Sequence, residues 1–127
     1  MFKLVSALSA FVLWGGWAYL INGDSNEGSQ HATSLKAALV QGSASFVITL
    51  LMVRAVTWFY RRLPPGQLQL WLPAIITILL TGTGLATIHQ LAGTPRILPT
   101  IAPALLVGFG FCLFISRTLR KSKPTYE

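Results

Sequence analysis

The chain has 127 residues, 53% of them hydrophobic and only 10% Asp, Glu, Lys or Arg, against the roughly 25% charged residues of an ordinary soluble domain. A water-exposed globule of this length needs a largely polar surface, and ten basic with three acidic side chains do not supply one. With a mean hydropathy of +0.61, composition places the chain in the membrane class. The net charge of +7 would suit nucleic acid in a soluble protein. Here Lys3, Arg61, Arg62, Arg117, Arg120, Lys121 and Lys123 lie at the ends of long apolar stretches, where they meet lipid phosphates and set topology. No nucleic-acid fold signature accompanies them, so no such partner is expected.

The first predicted span, 4–21, carries no formal charge and ends in the loop sequence NGDSNEGSQ. The opening MFKLVSALSAFVLWGGWA has the charge and apolar core of a signal segment, and Gly16-Trp17-Ala18 faintly matches a small-x-small cleavage site. The bulk of Trp14 and Trp17 favours a retained membrane helix instead. The second span, 35–60, has Lys36 near one end and Arg54 near the other. At 1.5 Å per residue they lie about 27 Å apart, so both heads snorkel to opposite interfaces. After the RRLPPG turn, the third span, 68–91, contains no Lys, Arg, Asp or Glu; Pro73 is expected in its first turn, and His89 lies near its end. The fourth span, 100–116, has Pro103 near its start and leads into a basic tail, 117–127. The expectation is an all-α integral membrane protein. Its four transmembrane helices form two helical hairpins, within a single polytopic domain covering 1–127.

Charge sidedness orients the chain. Lys3, Arg54, Arg61, Arg62, Arg117, Arg120, Lys121 and Lys123 share one side, against Lys36 and Arg96 on the other. The positive-inside rule then puts both termini in the cytoplasm, and a bacterial inner membrane is the expected location. WAYLING at 17–23 and TIHQLAG at 87–93 occupy similar places before the two outer loops. A duplication would relate the hairpins by an axis along the membrane normal.

The segment TGTGLATIHQLAGTPRILPT at 81–100 concentrates the polar chemistry. His89 and Arg96, with Thr94 and Thr100 as hydroxyl donors, form the candidate binding site for an anionic headgroup. Arginine offers a fork of donors matched to phosphate or carboxylate, and a histidine can gain a proton beside such a group. Interfacial anchoring is the plainer role for the same two residues. Thr77, Thr81, Thr83 and Thr87 place hydroxyls along the third span, and Gly82 and Gly84 either admit a neighbouring helix or loosen the helix into a passage. TGTG lacks the lysine and the strand-to-helix setting of a phosphate loop. Gly42, Ser43, Ala44 and Ser45 form a small-residue patch inside the second span, the candidate oligomer contact.

Trp14, Trp17, Tyr19, Trp58, Tyr60 and Trp71 read as an interfacial belt, and Cys112 as a packing residue. Asp24, Glu27 and His31 are potential metal donors on a glycine-rich loop that does not prearrange them, so no metal and no cofactor are expected. Asp24 or Glu27 is also a candidate partner for Arg96 across the outer surface. Ser45 and Cys112 have no base legible beside them, which makes a non-enzymatic role the expectation. The resulting functional reading is a small transporter or channel-like protein moving a small or lipid-linked anion. Its expected partners are membrane lipids with anionic headgroups and further copies of the chain or another membrane protein. The alternative is a noncatalytic accessory subunit or assembly scaffold.

Overall fold

The computed structural model describes residues 2–23 and 30–122, with side chains for 4–23 and 33–122. Its elements are α1 (Phe2–Ile21), α2 (Gln30–Arg62), α3 (Gln67–Ala92) and α4 (Ile97–Lys121), packed as an all-α four-helix bundle. Each of the four is long and apolar enough to cross a membrane, which makes the chain an integral membrane protein. Asp24, Glu27, Lys123 and the His31 side chain lie outside the described residues, and with them the candidate metal donors and the acidic partners considered for Arg96.

Several helix limits pass the apolar runs. α2 begins at Gln30 rather than at residue 35, and α4 runs from Ile97 through Lys121, so that Arg117, Arg120 and Lys121 ride on its last turns. Helix formation needs a satisfied backbone, and polar side chains continue it through the interfacial layer once a span has nucleated it. The two prolines consequently lie deeper than expected. With α3 starting at Gln67 and α4 at Ile97, Pro73 and Pro103 sit in the second turn rather than the first. Each removes an N–H from the ladder and releases the carbonyl four residues earlier. For Pro103 that carbonyl belongs to Pro99, and it accepts a hydrogen bond of 2.9 Å from the indole Nε1 of Trp17 on α1.

The bundle inverts the pattern of a soluble protein. Leu91 and Leu106 are 83% and 75% exposed, and leucines and valines dominate the outer surface. The interior is built from alanines such as Ala7, Ala18 and Ala74, with buried polar residues including Gln41, Ser45, Thr77, His89 and Thr100. Lipid chains solvate leucine as well as a protein core does, so helices associate through close backbone approach and polar contacts. The closest approach joins α1 to α2. A Cβ on Gly15 would stand 3.1 Å from the Ala38 carbonyl oxygen, and one on Gly42 would stand 3.1 Å from that of Phe11. A smaller apolar core of Met52, Val56, Ala74, Cys112 and Ile115 joins α2, α3 and α4 towards the opposite end.

That opposite end is closed by polar contacts the sequence does not announce. Buried Gln69 donates through Nε2 to the carbonyls of Tyr60 and Leu63 at 3.0 and 3.2 Å, capping the end of α2 from α3. Arg120 reaches the Gly66 carbonyl at 2.6 Å and ties α4 to the same turn. Tyr60, assigned to the interfacial belt, is only 3% exposed.

Candidate functional site

The far ends of the helices from that turn carry two hydrogen-bonded clusters. At Gly93 the chain leaves α3 in the left-handed region, with φ 75° and ψ 28°, a conformation that glycine adopts without a Cβ clash. The Thr94 N–H turns back to the His89 carbonyl at 3.0 Å. The same reversal brings the Thr94 hydroxyl within 2.7 Å of His89 Nδ1. The other ring nitrogen, Nε2, lies 2.7 Å from Gln41 Oε1 on α2. Because the amide oxygen only accepts, Nε2 carries a proton, and Nδ1 of a neutral ring accepts from the threonine hydroxyl. Gln41 Nε2 in turn donates to Ser45 Oγ at 3.3 Å. His89 and Gln41 are both wholly buried.

In the second cluster, the Asn22 amide donates to the Ala18 carbonyl at 2.8 Å and to Thr100 Oγ1 at 2.9 Å. Its Oδ1 accepts from the Arg96 backbone N–H at 3.0 Å. The Thr100 hydroxyl then donates to the Arg96 carbonyl. This closes the start of α4 onto the end of α1. Of the four residues assigned to anion binding, His89 pairs with Thr94, while Thr100 engages the Arg96 backbone. Arg96 itself is exposed at the surface.

Beneath the contact between Trp17 and Pro99, α1 and α4 flank a groove of about 450 Å³ whose wall also includes residues of α2 and α3. This falls within the 300–1,000 Å³ usual for ligand sites. Most of the lining is apolar, but Ser6, Ser9, Ser45, Thr49 and Thr81 place five hydroxyl-bearing side chains along it. Val5, Leu13 and Val107 on its rim are more than half exposed, so the groove opens sideways, where lipid lies. Ser45 belongs to both features. It ends the series Thr94, His89, Gln41, Ser45 and stands in the wall of the groove.

The other residues singled out from sequence separate by face. Thr81 lines the groove, and Gly82 packs against Leu105 of α4, where a Cβ would stand 3.2 Å from a leucine methyl. Thr83 and Thr87 are exposed and donate to their own helix at Leu79 and Thr83, each at 2.8 Å. Gly84 has open space beside it, and α3 runs unbroken past both glycines. Thr77 is buried, with no hydroxyl partner among the described residues. In the small-residue patch Gly42 packs on α1 and Ser45 is buried, while Ser43 is exposed and Ala44 half-buried.

Sequence reasoning passed over Gln41, Ser6, Ser9 and Thr49. Gln41 carries a usable signal, since an amide well inside an apolar span requires a hydrogen-bonding partner. Among the described residues no cluster of His, Cys, Asp and Glu is suited to holding a metal ion. Comparison of the chain with known protein families, with characterised proteins and with solved structures finds no match to any of them.

Proposed function

We propose that this small all-helical membrane protein moves a lipid-linked anion across or within its membrane, with the headgroup in the groove between α1 and α4 and the hydrocarbon left in the surrounding lipid. One observation carries the reading: an intramembrane groove, open to the side, is lined by five hydroxyl-bearing side chains. Hydroxyls donate hydrogen bonds to phosphate or carboxylate oxygens without the desolvation cost of a buried cation. An apolar rim suits the attached chain. The sealing of His89 weighs against a free aqueous ion as cargo, since neither His89 nor Arg96 lines this groove. In this reading the two-hairpin arrangement and cytoplasmic termini persist. Exposed Arg96 draws anionic headgroups at the outer surface, and Ser45 couples the groove to the His89 cluster.

The test is reconstitution of the full chain into vesicles containing fluorescent phosphatidylglycerol, with transfer between leaflets followed by quenching from outside. Wild-type protein is expected to speed transfer over empty vesicles, and Thr49→Leu, which fills the groove, to slow it about tenfold, equivalent to about 1.4 kcal/mol of barrier. Transfer no faster than in empty vesicles overturns the proposal. The accessory or scaffold reading then gains, because the full burial of His89 and the close pair Gly15 and Gly42 serve a purely structural role equally well.

A further inference from the structure

The basic end of α2 presents an arrangement independent of the groove. Arg54, Trp58, Arg61 and Arg62 follow one another at intervals that keep them on one stripe of the helix, and all four are exposed. Together with Val53 and Thr57 they border a cleft of about 290 Å³. The stripe is preorganised. The Arg62 guanidinium lies 3.4 Å from the centroid of the Trp58 ring, and its Nη1 donates to the Trp58 carbonyl at 3.4 Å. This holds one cation flat against an aromatic face, where guanidinium groups stack well.

None of the described residues is an Asp or Glu that could supply the counter-charge. Ten Lys and Arg face three acidic side chains, Asp24, Glu27 and Glu127, so at least seven cations have no side-chain carboxylate available within the chain. Asp24 and Glu27 precede α2 by sequence, more than 25 residues before Arg54, and they and Glu127 lie outside the described residues. Depth identifies the kind of anion. Arg54 lies about 27 Å along the helix from Lys36, close to the roughly 30 Å of the hydrocarbon layer, so the two mark its opposite boundaries. Arg61 stands about 10 Å beyond Arg54, which spans the headgroup layer of one leaflet. Cations at two depths beside a half-exposed indole match a phospholipid phosphate held between them.

We infer that Arg54, Trp58, Arg61 and Arg62 form a binding site for the phosphate headgroup of an anionic phospholipid in the leaflet at the basic end of the bundle. Arg54 and Arg61 grip the phosphate from below and above, while Trp58 and the Arg62 stacked on it wall the cleft. The site holds a resident lipid and does not depend on the transport reading.

Purified full-length protein in mixed phosphatidylcholine and phosphatidylglycerol bilayers, followed by native mass spectrometry of the retained lipid, tests this. Wild-type protein is expected to retain phosphatidylglycerol at least tenfold over its share of the bilayer; retention in proportion to that share overturns the site whatever the variants do. Arg54→Gln with Arg61→Gln is expected to lower this enrichment about tenfold or more, given the strength of basic residues at an anionic surface. Arg117→Gln with Lys121→Gln removes the same charge from α4 and is expected to change it less than twofold. Equal losses in the two variants would mean a diffuse surface potential and would reject a discrete site. Displacement of the lipid by soluble glycerol phosphate at millimolar concentration would also reject it, since a free anion would then be the better occupant.

Discussion

His89 and Gln41 illustrate what a polar side chain does inside a membrane. Each is wholly buried, and each satisfies the other at 2.7 Å across two helices. Replacing Gln41 by leucine leaves the histidine donor without its acceptor and removes the donor to Ser45 Oγ. We expect Gln41→Leu to lower stability by about 1–3 kcal/mol, the usual cost of an unsatisfied buried donor. Combination with His89→Leu should cost less than the two single changes added together. The coupling is expected at about 0.6 kcal/mol and no more than about 1.7, the average and the largest value for hydrogen bonds between membrane helices, whose unfolded reference state also finds partners in the bilayer. Reversible unfolding in mixed detergent micelles, followed by circular dichroism, measures all four forms of the cycle. Strict additivity would mean that the ring and the amide do not depend on each other.

At the scale of the helix, proline position governs which carbonyls need help. Pro103 withholds an N–H from Pro99, and Trp17 supplies one at 2.9 Å from a different helix. Trp17→Phe should therefore cost about 0.5–1.5 kcal/mol in the same unfolding measurement, the net worth of a hydrogen bond to an exposed carbonyl. In a Pro103→Ala background, which restores an N–H to the α4 ladder, the loss should shrink. An equal loss in both backgrounds would separate the indole from the proline. This pairing also marks where sequence reading succeeds and stops. Four spans were legible because long apolar runs bounded by charges and turn residues have little other use, and the sealing of Cys112 followed from its apolar neighbours. The helix limits were not, since Gln30 to Ser34 and Arg117 to Lys121 are polar segments that continue a helix begun elsewhere. His89 stood out as the only histidine in an apolar run, yet its partner Gln41 is 48 residues away. The groove joins α1 to α4, whose meeting no local periodicity encodes. Trp17 looked like an interfacial ring for the same reason: its acceptor, Pro99, is 82 residues on.

Across the whole molecule the bundle is polar at its two ends and along a seam within, and apolar outside, while its charge is strongly one-sided. Eight basic residues, Lys3, Arg54, Arg61, Arg62, Arg117, Arg120, Lys121 and Lys123, belong with the two termini and the α2–α3 turn, against Lys36 and Arg96 with the opposite ends of the helices. A cell membrane retains such basic segments on its cytoplasmic face because translocating them against the potential, and away from anionic lipid, is unfavourable. On that rule the Arg54 cleft is expected in the cytoplasmic leaflet and exposed Arg96 at the outer surface. Single cysteines make the orientation measurable. Pro65 in the α2–α3 turn and Pro95 before α4 are both exposed, and the native Cys112 is wholly buried, so it stays silent in the folded protein. In intact cells treated with a membrane-impermeant maleimide, Pro95→Cys should label. Pro65→Cys should label only after the membrane is opened. The reverse pattern would put the basic end outside and remove the cytoplasmic leaflet as the source of the phosphatidylglycerol. Labelling of both in intact cells would mean dual insertion, which a bias of eight basic residues against two should prevent.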